Sequence, residues 1–475
     1  MKLSEILKGI EYEILNGNLD VEVSNIHYDS RYVKEGGMFI AVSGYALDGH
    51  DFIYDVTHRG IDVVLVEKEV EVKNGVTVIK VKDTRKEMIN ISRNFFDVNM
   101  NKVKIIGVTG TNGKTSVTTI AYDLLKESGV RVGLIGSNGI RYMNGEENLG
   151  RTTPNGYEMM RILRKMIDEK IEVIFMEVSS HALELHRVDG LDFEMAVFTN
   201  LTQDHLDFHK TIENYRDAKL KLFKMAKIGI FNLDDPSAMY FMNNSTCDNK
   251  YTVSIEAESD YRAKDIKLNI HGLKYNLLGF DVEFNTPGRF SVYNTLEAIA
   301  IANKLGIDME VIVESMKKVE HVSGRFETYK IGDKNIIIDY AHAPDGLEQI
   351  LKTSKELTKG KIITVFGCGG NRDKTKRPIM GKVAAKYSDY VVIVPDNPRD
   401  EEIDEINKGV EVGVKEIHDN YITFNDRKDG IVYAMDKCEK DDIIVIAGKG
   451  NEDYIEIKGV KHYYKDYDVI SNYLN

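Results

Sequence analysis

The sequence has few cysteines and no excess of basic residues, and each shortage excludes a class of protein. Its 475 residues include three cysteines, Cys247, Cys368 and Cys438, which are far apart and odd in number. They form neither a disulfide framework nor a zinc-binding motif, as is usual in a reducing compartment. Acidic residues outnumber basic ones by 76 to 63, which gives a formal net charge of −13. This balance argues against nucleic acid or a membrane surface as a partner, because both favour basic faces.

Long apolar runs are also missing. No stretch approaches the roughly 20 consecutive apolar residues that a membrane-spanning helix requires. The opening segment MKLSEILKGIEYEIL contains acidic residues and lacks the apolar core and cleavage site of a secretion signal. Internal repeats and low-complexity tracts are absent as well. We therefore expect a soluble cytoplasmic protein that does not insert into membranes.

Short apolar runs alternate with helical patterns along the chain, which predicts α/β domains with largely parallel sheets. At roughly 150 residues per domain, the length suggests about three of them. The first hundred residues contain predicted strands such as MFIAVSG (38–44) but no phosphate-binding loop. We predict a smaller α/β N-terminal domain at 1–100, a central P-loop-type domain at 101–323 and a Rossmann-like C-terminal domain at 324–475.

The segment GVTGTNGKTS (107–116) is the first candidate functional motif. It is a variant of the usual phosphate-binding loop, because Val108 stands at the first glycine position. A predicted strand precedes it and a predicted helix (114–129) follows, which favours a phosphate site over a glycine turn that binds nothing. Lys114 would meet the terminal phosphates, and the Thr115 hydroxyl would be offered to Mg²⁺. The predicted nucleotide-binding residues here are Gly110, Thr111, Asn112, Gly113, Lys114, Thr115 and Ser116.

Candidate metal ligands follow two further predicted strands. VIFMEV places Glu177 at the carboxyl end of a strand, where α/β sheets bind ligands. MAVFTN ends just before LTQDHLDFH, which contains His205. A carboxylate and an imidazole beside a phosphate loop suit Mg²⁺ or Mn²⁺ bridging phosphates to an acceptor. Asp207 and His209 in the same segment are equally well explained as residues that cap turns.

Eight motifs then occur in order between residues 110 and 450: GTNGKTS, EVSSHAL, FTNLTQDHLDFH, YRDAKLKLF, DYAHAPDGLE, VFGCGGNRDKTKRP, DNPR and AGKG. Together they resemble the Mur ligases, which are ATP-dependent amide-forming enzymes of peptidoglycan assembly. The resemblance covers nearly the whole chain. It implies that ATP phosphorylates a carboxylate to an acyl phosphate, which an amine then attacks. The enzyme's part is mainly to position the groups and neutralise charge.

The resemblance also implies the substrates. UDP-N-acetylmuramoyl-L-alanyl-D-glutamate would supply the D-glutamate γ-carboxylate, and meso-diaminopimelate would supply the amine, with L-lysine as the alternative. Lys219, in YRDAKLKLF, would act as a CO₂-derived carbamate that gives Mg²⁺ an anionic oxygen ligand. Without the resemblance, a solvated surface charge would be the better interpretation of this lysine. The implied catalytic residues are Lys114, Glu177, His205 and Lys219, and the implied metal ligands are Thr115, Glu177, His205 and Lys219.

The remaining implied contacts fall into three groups, and for several of them a local structural role is an open alternative. ATP would also contact Asn294, Arg325 and His342. The UDP-linked dipeptide would contact Ser30, Tyr45, Ala46, Thr152, Thr153, Ser179 and Arg187. Diaminopimelate would contact Arg372, Asp396, Asn397, Pro398, Arg399, Gly448 and Glu452.

The diaminopimelate pocket is expected to set the specificity. The two arginines would hold the distal carboxylate and Glu452 the distal ammonium, whereas L-lysine would leave Arg399 unpaired. Three residues depart from the family pattern, Asn451, Leu185 and Ser291, and these departures bear on amino-acid selectivity rather than on metal or phosphate binding.

Two functions of another class compete with the ligase: a nucleotide-binding module without activity, and a phosphotransferase acting on a hydroxyl. The joint presence of Lys114, Glu177, His205 and Lys219 argues against the first. The lack of an obvious aspartate for hydroxyl deprotonation argues against the second. We further expect a monomer, and a packing role for Cys368.

Overall fold

The computed structural model describes residues 1–44 and 47–473. The predicted substrate contacts Tyr45 and Ala46 lie outside the described residues. The fold is a mixed α/β arrangement with several parallel-rich sheets, as predicted. The backbone forms two compact units, Met1–Thr118 with Gly129–Thr252, and Thr119–Ser128 with Val253–Asn475. The three-domain boundaries near residues 100 and 323 stay a prediction.

The N-terminal part of the first unit is a five-stranded sheet with strand order β1-β5-β4-β3-β2. Only β1 runs antiparallel to its neighbour β5. Strands β3 and β4 consist almost wholly of buried apolar residues, as expected for parallel strands covered on both faces. The elements are α1 (Leu3–Ile6), β1 (Glu13–Asn16), β2 (Asn25–His27), β3 (Gly37–Ile40), α2 (Ile53–His58), β4 (Ile61–Val66), β5 (Thr77–Lys80) and α3 (Thr84–Phe95). The strand predicted at 38–44 therefore ends earlier, at Ile40.

Seven strands of a larger, nine-stranded sheet follow in the same unit, in the order β12-β11-β6-β10-β7-β8-β9. The first five of these strands are parallel, so their carboxyl ends meet at one edge. The strands are β6 (Lys104–Thr109), β7 (Val132–Gly136), β8 (Gly139–Arg141), β9 (Glu146–Glu147), β10 (Val173–Glu177), β11 (Phe193–Phe198) and β12 (Ala226–Asn232). The helices are α4 (Lys114–Glu127), α5 (Gly156–Asp168), α6 (Ser180–Glu184), α7 (Leu206–His209), α8 (Ile212–Phe223) and α9 (Ala238–Asn244).

The second unit begins with short strands and two helices. Three of these strands form a small antiparallel sheet in the order β15-β16-β17. Helix α10 ends close to Gly306, whose φ of 96° is the left-handed conformation that suits glycine. The elements are β13 (Asn249–Ser254), β14 (Tyr261–Arg262), β15 (Lys264–Asn269), β16 (Gly272–Leu277), β17 (Phe280–Phe284), α10 (Arg289–Lys304) and α11 (Met309–Met316).

The rest of the second unit is a six-stranded sheet with the order β18-β19-β23-β20-β21-β22, in which only β18 is antiparallel. The carboxyl ends of β20, β21 and β23 lie at one edge, where such sheets bind ligands. The strands of this sheet are β18 (Glu327–Ile331), β19 (Lys334–Asp339), β20 (Ile362–Phe366), β21 (Tyr390–Ile393), β22 (Tyr421–Thr423) and β23 (Ile443–Ala447). Strands β24 (Tyr454–Ile457) and β25 (Val460–Tyr463) form a separate antiparallel hairpin. The helices are α12 (Pro344–Leu357), α13 (Lys376–Tyr387), α14 (Ile403–Lys415), α15 (Arg427–Lys437) and α16 (Asp466–Ser471).

The three cysteines are free and buried, so the structure contains no disulfide between them. Cys368 packs with its Sγ 3.7 Å from the Sδ of Met380. Burial raises the pKa of the Cys368 thiol to about 12, which keeps it protonated and unreactive. Within the described part of the chain, none of the helices is long and apolar enough to cross a membrane.

One acidic side chain is buried without compensation. Glu297 on α10 has 0% exposure, and neither carboxylate oxygen has a hydrogen-bond partner among the described residues. Burial raises the pKa of Glu297 well above its usual value, because the charged form would lose its hydration. The side chain therefore favours the protonated state in the folded protein.

Replacing Glu297 by methionine, which has a similar shape, is expected to stabilise the protein in a pH-dependent way. The raised pKa costs nothing below about pH 4.5, where the unfolded chain is also protonated, and destabilises the native state as the pH rises. Glu297→Met should therefore raise the Tm of its unit by about 4 °C near pH 8 and by much less near pH 5. Differential scanning fluorimetry checks this, with the exposed Glu310→Met on α11 as the matched control. An equal shift at both pH values would contradict the prediction.

Candidate active site

The phosphate loop connects β6 to α4, which begins at Lys114. A Cβ on Gly110 would lie 1.9 Å from the Thr199 hydroxyl, and Gly113 has a φ of 88°, so both positions require glycine. The Lys114 ammonium bends back over the loop and donates to the carbonyls of Gly110 (2.9 Å) and Thr111 (2.8 Å). The positive, N-terminal end of α4 thus lies at a glycine turn that also holds the Lys114 ammonium. Both features favour the binding of an anion.

The start of the loop is held by the segment after β11. The N–H groups of Thr111 and Asn112 donate to the backbone and side-chain oxygens of Asn200, each at 2.9 Å. The Thr199 hydroxyl donates to the Asn112 carbonyl at 2.6 Å. Two of the backbone donors that the sequence assigned to phosphate are therefore used within the protein, and the later part of the motif (113–116) is the better phosphate cradle.

Glu177, at the end of β10, is 1% exposed and fully hydrogen-bonded. Its carboxylate accepts from the Thr115 hydroxyl (3.0 Å) and from the N–H (2.8 Å) and hydroxyl (3.1 Å) of Ser137. A Cβ on Gly136 would lie 2.3 Å from the Glu177 carboxylate, so the close approach depends on glycine. The structure thus brings together two predicted metal ligands, Thr115 and Glu177. The sequence analysis missed Ser137, for which IGSNG after an apolar strand was the only signal.

Lys219 on α8 is not a surface residue. It is 1% exposed, and its ammonium donates to the Gly110 carbonyl at 2.7 Å, the carbonyl that also accepts from Lys114. The ammonium also lies 4.3 Å from the ring centre of Tyr215. Burial, reinforced by Lys114 and opposed by Asp204, holds the pKa of Lys219 well below its usual value. A neutral amine is therefore favoured beside the phosphate loop.

His205 takes up a left-handed conformation, with φ 55°, directly before α7. Its Nε2 lies 3.4 Å from Asp204, and its ring is 6.1 Å from the ring of Tyr215. Burial, followed by Lys114 and Lys219 and opposed by Asp204, lowers the pKa of His205, which favours the neutral imidazole that metals bind. His205 is thus connected to Lys219 through Tyr215.

A second histidine that the sequence analysis missed packs against the first. The ring of His181 lies 4.8 Å from that of His205, edge to face, and 4.3 Å from that of Phe208. Burial, with a smaller contribution from His205, lowers the pKa of His181 to about 4. His209, which the sequence left open, forms a hydrogen bond with the Ser180 hydroxyl of α6 at 2.9 Å.

The fit to Mg²⁺ rests on the donor types. The hydroxyl of Thr115 and the carboxylate of Glu177 are hard oxygen ligands in contact with each other, which suits this ion. Across residues 1–44 and 47–473, no group of three or more histidine, cysteine, aspartate or glutamate side chains is arranged to hold a metal. The protein's own acidic and imidazole groups thus do not complete a site there, and further oxygen ligands are needed.

Four predicted dipeptide contacts gather at the end of β10. The Thr153 hydroxyl donates to the Glu177 carbonyl at 2.8 Å and accepts from the Ser179 N–H at 3.1 Å. Arg187 donates to the Thr153 carbonyl at 3.1 Å, and Thr152 lies 3.0 Å from the Ser137 hydroxyl. These four residues therefore surround the end of β10 and are connected to Glu177 through its backbone carbonyl and through Ser137.

Arg187 lies in a positively charged neighbourhood. Burial, followed by the charges of Arg151 and Arg85, lowers the pKa of Arg187. An anionic substrate would relieve this repulsion. Ser30 lies in a short 3₁₀ turn, but Asp29 caps the turn by accepting from the Arg31 N–H.

The other predicted ATP contacts belong to the second unit. Asn294 is buried on α10, where Ser291, one of the family departures, donates to the Pro287 carbonyl at 3.0 Å. The guanidinium of Arg325 lies 4.8 Å from the ring centre of Tyr340. His342 is 3.0 Å from the Tyr340 carbonyl, so these two residues share one neighbour.

The predicted amino-acid pocket lies at the carboxyl ends of β20, β21 and β23. Asn397 donates to the Glu452 carboxylate at 3.0 Å, which joins the loops after β21 and β23. Arg399 donates to the Gly370 carbonyl at 2.8 Å and forms an ion pair with Glu456 at 3.3 Å. The ion-pair partner of Arg399 therefore lies on the β24–β25 hairpin.

Two glycines of this pocket lie very close to the side chains of predicted pocket residues. Gly448 has a φ of 113°, and a Cβ on it would lie 3.1 Å from Asp396. A Cβ on Gly369 would lie 3.0 Å from the Arg399 guanidinium and 3.6 Å from the Arg372 side chain. The two arginines thus flank one glycine, and Pro398 borders the next, Gly370. The departure Asn451 packs against Gly324, and Leu185 ends α6.

The pocket also contains Lys449, which the sequence analysis did not assign. It is 0% exposed and lies 3.3 Å from the Asp396 carboxylate and 3.4 Å from that of Glu452. Only its place in AGKG, between two predicted pocket residues, could have signalled a role.

The chain is similar to known proteins along most of its length. Three family profiles match the chain: the catalytic domain of the Mur ligase family at 22–103, the Mur ligase middle domain at 108–302, and the Mur ligase glutamate ligase domain at 324–450. A UDP-N-acetylmuramoyl-L-alanyl-D-glutamate–2,6-diaminopimelate ligase 1 of Clostridium acetobutylicum is 43% identical over 483 residues, covering 100% of this chain and 99% of the relative.

A ligase with the same substrate name from Clostridioides difficile is 43% identical over 486 residues, covering 100% of both chains. A solved structure of a UDP-N-acetylmuramoyl-L-alanyl-D-glutamate–2,6-diaminopimelate ligase is 30% identical with a TM-score of 0.71, covering 100% of this chain and 98% of that one. The family profiles and the full-length relatives all indicate Mur ligases, as do the phosphate loop and the buried residues around it. The chain therefore belongs to the Mur ligase family.

Proposed function

We propose that this protein is an ATP-dependent ligase that joins meso-diaminopimelate to the D-glutamate γ-carboxylate of UDP-N-acetylmuramoyl-L-alanyl-D-glutamate. ADP and phosphate are the other products. The observation that carries the proposal is the buried Lys219, whose amine reaches the Gly110 carbonyl of the phosphate loop. The full-length relatives with this activity in their names support the choice of substrates.

The reaction has two steps. The γ-carboxylate attacks the terminal phosphorus of ATP and ADP leaves, which gives an acyl phosphate. The amine of diaminopimelate then attacks the acyl carbon, loses a proton and expels phosphate as the amide bond forms. Lys114, at the start of α4, would meet the negative charge of the transferred group. Mg²⁺, when bound, neutralises phosphate charge, and Thr115, Glu177, His205 and a modified Lys219 are the residues that would hold it.

The modification of Lys219 follows from its low pKa. A neutral amine can attack the carbon of CO₂, and loss of one N–H proton to solvent leaves a carbamate with a negative charge. The carbamate would supply further oxygen ligands, because the acidic side chains of the site do not form a complete metal site on their own. It would also place a negative charge next to the Lys114 ammonium, which is a favourable pairing.

The dipeptide would bind at the end of β10 and along the N-terminal sheet, with Ser30, Tyr45 and Ala46 as predicted contacts. Thr152, Thr153, Ser179 and Arg187 lie within hydrogen-bonding distance of one another or of Ser137 and Glu177. Arg187 is partly buried and lies near the positive charges of Arg151 and Arg85. It therefore suits a carboxylate of the substrate. This arrangement would place the acceptor acid beside the phosphate loop.

Diaminopimelate would bind at the carboxyl ends of β20, β21 and β23. Arg399 and Arg372 flank Gly369 and would hold the distal carboxylate. Asp396 is buried, and its Oδ1 accepts no hydrogen bond from any described residue but lies 3.3 Å from the Lys449 ammonium, so a substrate ammonium would share this carboxylate with Lys449 and use it together with Glu452. L-lysine lacks the distal carboxylate and would leave Arg399 to its internal partner Glu456. Monomeric state and cytoplasmic location stay predictions.

The proposal is tested by a coupled assay of ADP release with substrates omitted one at a time. ADP and phosphate should appear only when the UDP-linked dipeptide and meso-diaminopimelate are both present. Replacing diaminopimelate by L-lysine should lower kcat/KM by about 1,000-fold or more, because the arginines then face no carboxylate. Comparable turnover with L-lysine would overturn the specificity, and turnover without the dipeptide would overturn the ligase itself.

A further inference from the structure

The least expected group in the amino-acid pocket is Lys449, a lysine with 0% exposure. Its three ammonium protons all have acceptors within the protein: the Tyr454 carbonyl at 2.8 Å, the Asn397 side-chain oxygen at 3.1 Å and the Glu452 carboxylate at 3.4 Å. Because no donor is left over, Lys449 has no proton to offer to a substrate. Its part in the site must act through its neighbours.

These neighbours come from two segments. Asn397 follows β21, whereas Glu452 and Tyr454 lie with Lys449 in the segment that runs from β23 into the β24–β25 hairpin. Asn397 also donates to Glu452 at 3.0 Å and accepts from the Glu456 N–H at 2.9 Å, so its amide orientation is fixed. Lys449 is thus the point at which the segments bearing the predicted pocket residues are joined.

Among the charged residues of the predicted pocket, together with Lys449 and Glu456, the positive and negative charges balance. Three cations, Lys449, Arg399 and Arg372, accompany three acids, Asp396, Glu452 and Glu456. A distal amino-acid terminus, with one ammonium and one carboxylate, adds no net charge to such a pocket, whereas the side chain of L-lysine adds one positive charge. Removing Lys449 would leave the pocket with one net negative charge, which favours the cation.

We propose that Lys449 is a positioning residue that holds Asn397 and Glu452 in place and sets the pocket's charge to suit a zwitterionic substrate terminus. The inference rests on the proposed function, since it assigns a determinant of specificity to that pocket. It extends the set of specificity residues beyond those that contact the amino acid.

The test compares Lys449→Gln, which removes the charge, with Lys449→Arg, which keeps it. Lys440→Gln, an exposed lysine of the same unit, is the matched control. In Lys449→Gln we expect the KM for meso-diaminopimelate to rise about 30-fold and its kcat/KM advantage over L-lysine to fall at least about 10-fold. The KM values for ATP and dipeptide should stay within about 2-fold, since a general loss of structure would change all three. Lys449→Arg should retain the advantage over L-lysine.

A folded Lys449→Gln variant with the wild-type ratio of the two amino acids would overturn the inference. If that variant shows no cooperative unfolding transition, Lys449→Arg decides: we expect a KM for diaminopimelate raised about 5-fold with selectivity kept, and a wild-type KM would overturn the positioning role. Failure of the proposed function is a different result, because the wild-type protein would then release no ADP in response to diaminopimelate.

Discussion

Lys219→Ala is expected to lower kcat for ADP release by about 1,000-fold or more, because it removes the group that would carry the carbamate. The alanine variant also loses the hydrogen bond to Gly110, but Lys114 still donates to that carbonyl, so the phosphate loop should keep its shape. The coupled assay measures the loss, and nucleotide binding by fluorescence or calorimetry should change far less. A small carboxylic acid that enters the vacated space should restore part of the activity.

The matched control is Lys221→Ala on the same helix. Lys221 is about half exposed and pairs with Glu184, so its removal should leave kcat nearly unchanged. Mass spectrometry under native conditions in bicarbonate should detect an added carboxyl group on Lys219 in the wild-type protein and none in the alanine variant. Wild-type rates in Lys219→Ala would contradict the carbamate proposal even if the ligase activity itself were present.

Much of the fold was readable from the sequence because local patterns determine it. The strands before the phosphate loop and before Glu177 are continuous apolar runs, and their parallel pairing brings their ends to one edge. The contact between Thr115 and Glu177 follows from this topology. The same logic places Asp396 and Gly448 together at the ends of β21 and β23.

Other features depend on packing between distant segments and have no local signature. A lysine on an amphipathic helix is normally solvated, and only the tertiary structure shows that Lys219 is buried under the phosphate loop. The partner of Arg399 on the β24–β25 hairpin was missed for the same reason, because this hairpin lies more than 50 residues beyond DNPR in the sequence.

Glu177→Gln is expected to reduce kcat/KM for ATP by about 100-fold or more and to raise the Mg²⁺ concentration needed for half-maximal rate. The carboxylate accepts three hydrogen bonds, from the Thr115 hydroxyl and from the N–H and hydroxyl of Ser137. A glutamine must place an N–H donor opposite one of these donors, so it loses charge and also disrupts the contacts that orient Thr115. Metal titrations followed by ADP release and by nucleotide binding measure both effects.

Glu172→Gln supplies the control for this last prediction, because Glu172 directly precedes β10, at the opposite end of the strand from Glu177. It is exposed and pairs with Arg131, so its loss should leave the Mg²⁺ dependence unchanged. Glu177→Asp keeps the charge but shortens the side chain, and should fall between wild type and Glu177→Gln. If Glu177→Gln lowered the rate with no change in Mg²⁺ dependence, Glu177 would act by holding Thr115 and Ser137 rather than by binding the metal. The titration thus tests whether Glu177 takes part in metal binding, either as a ligand or by orienting Thr115.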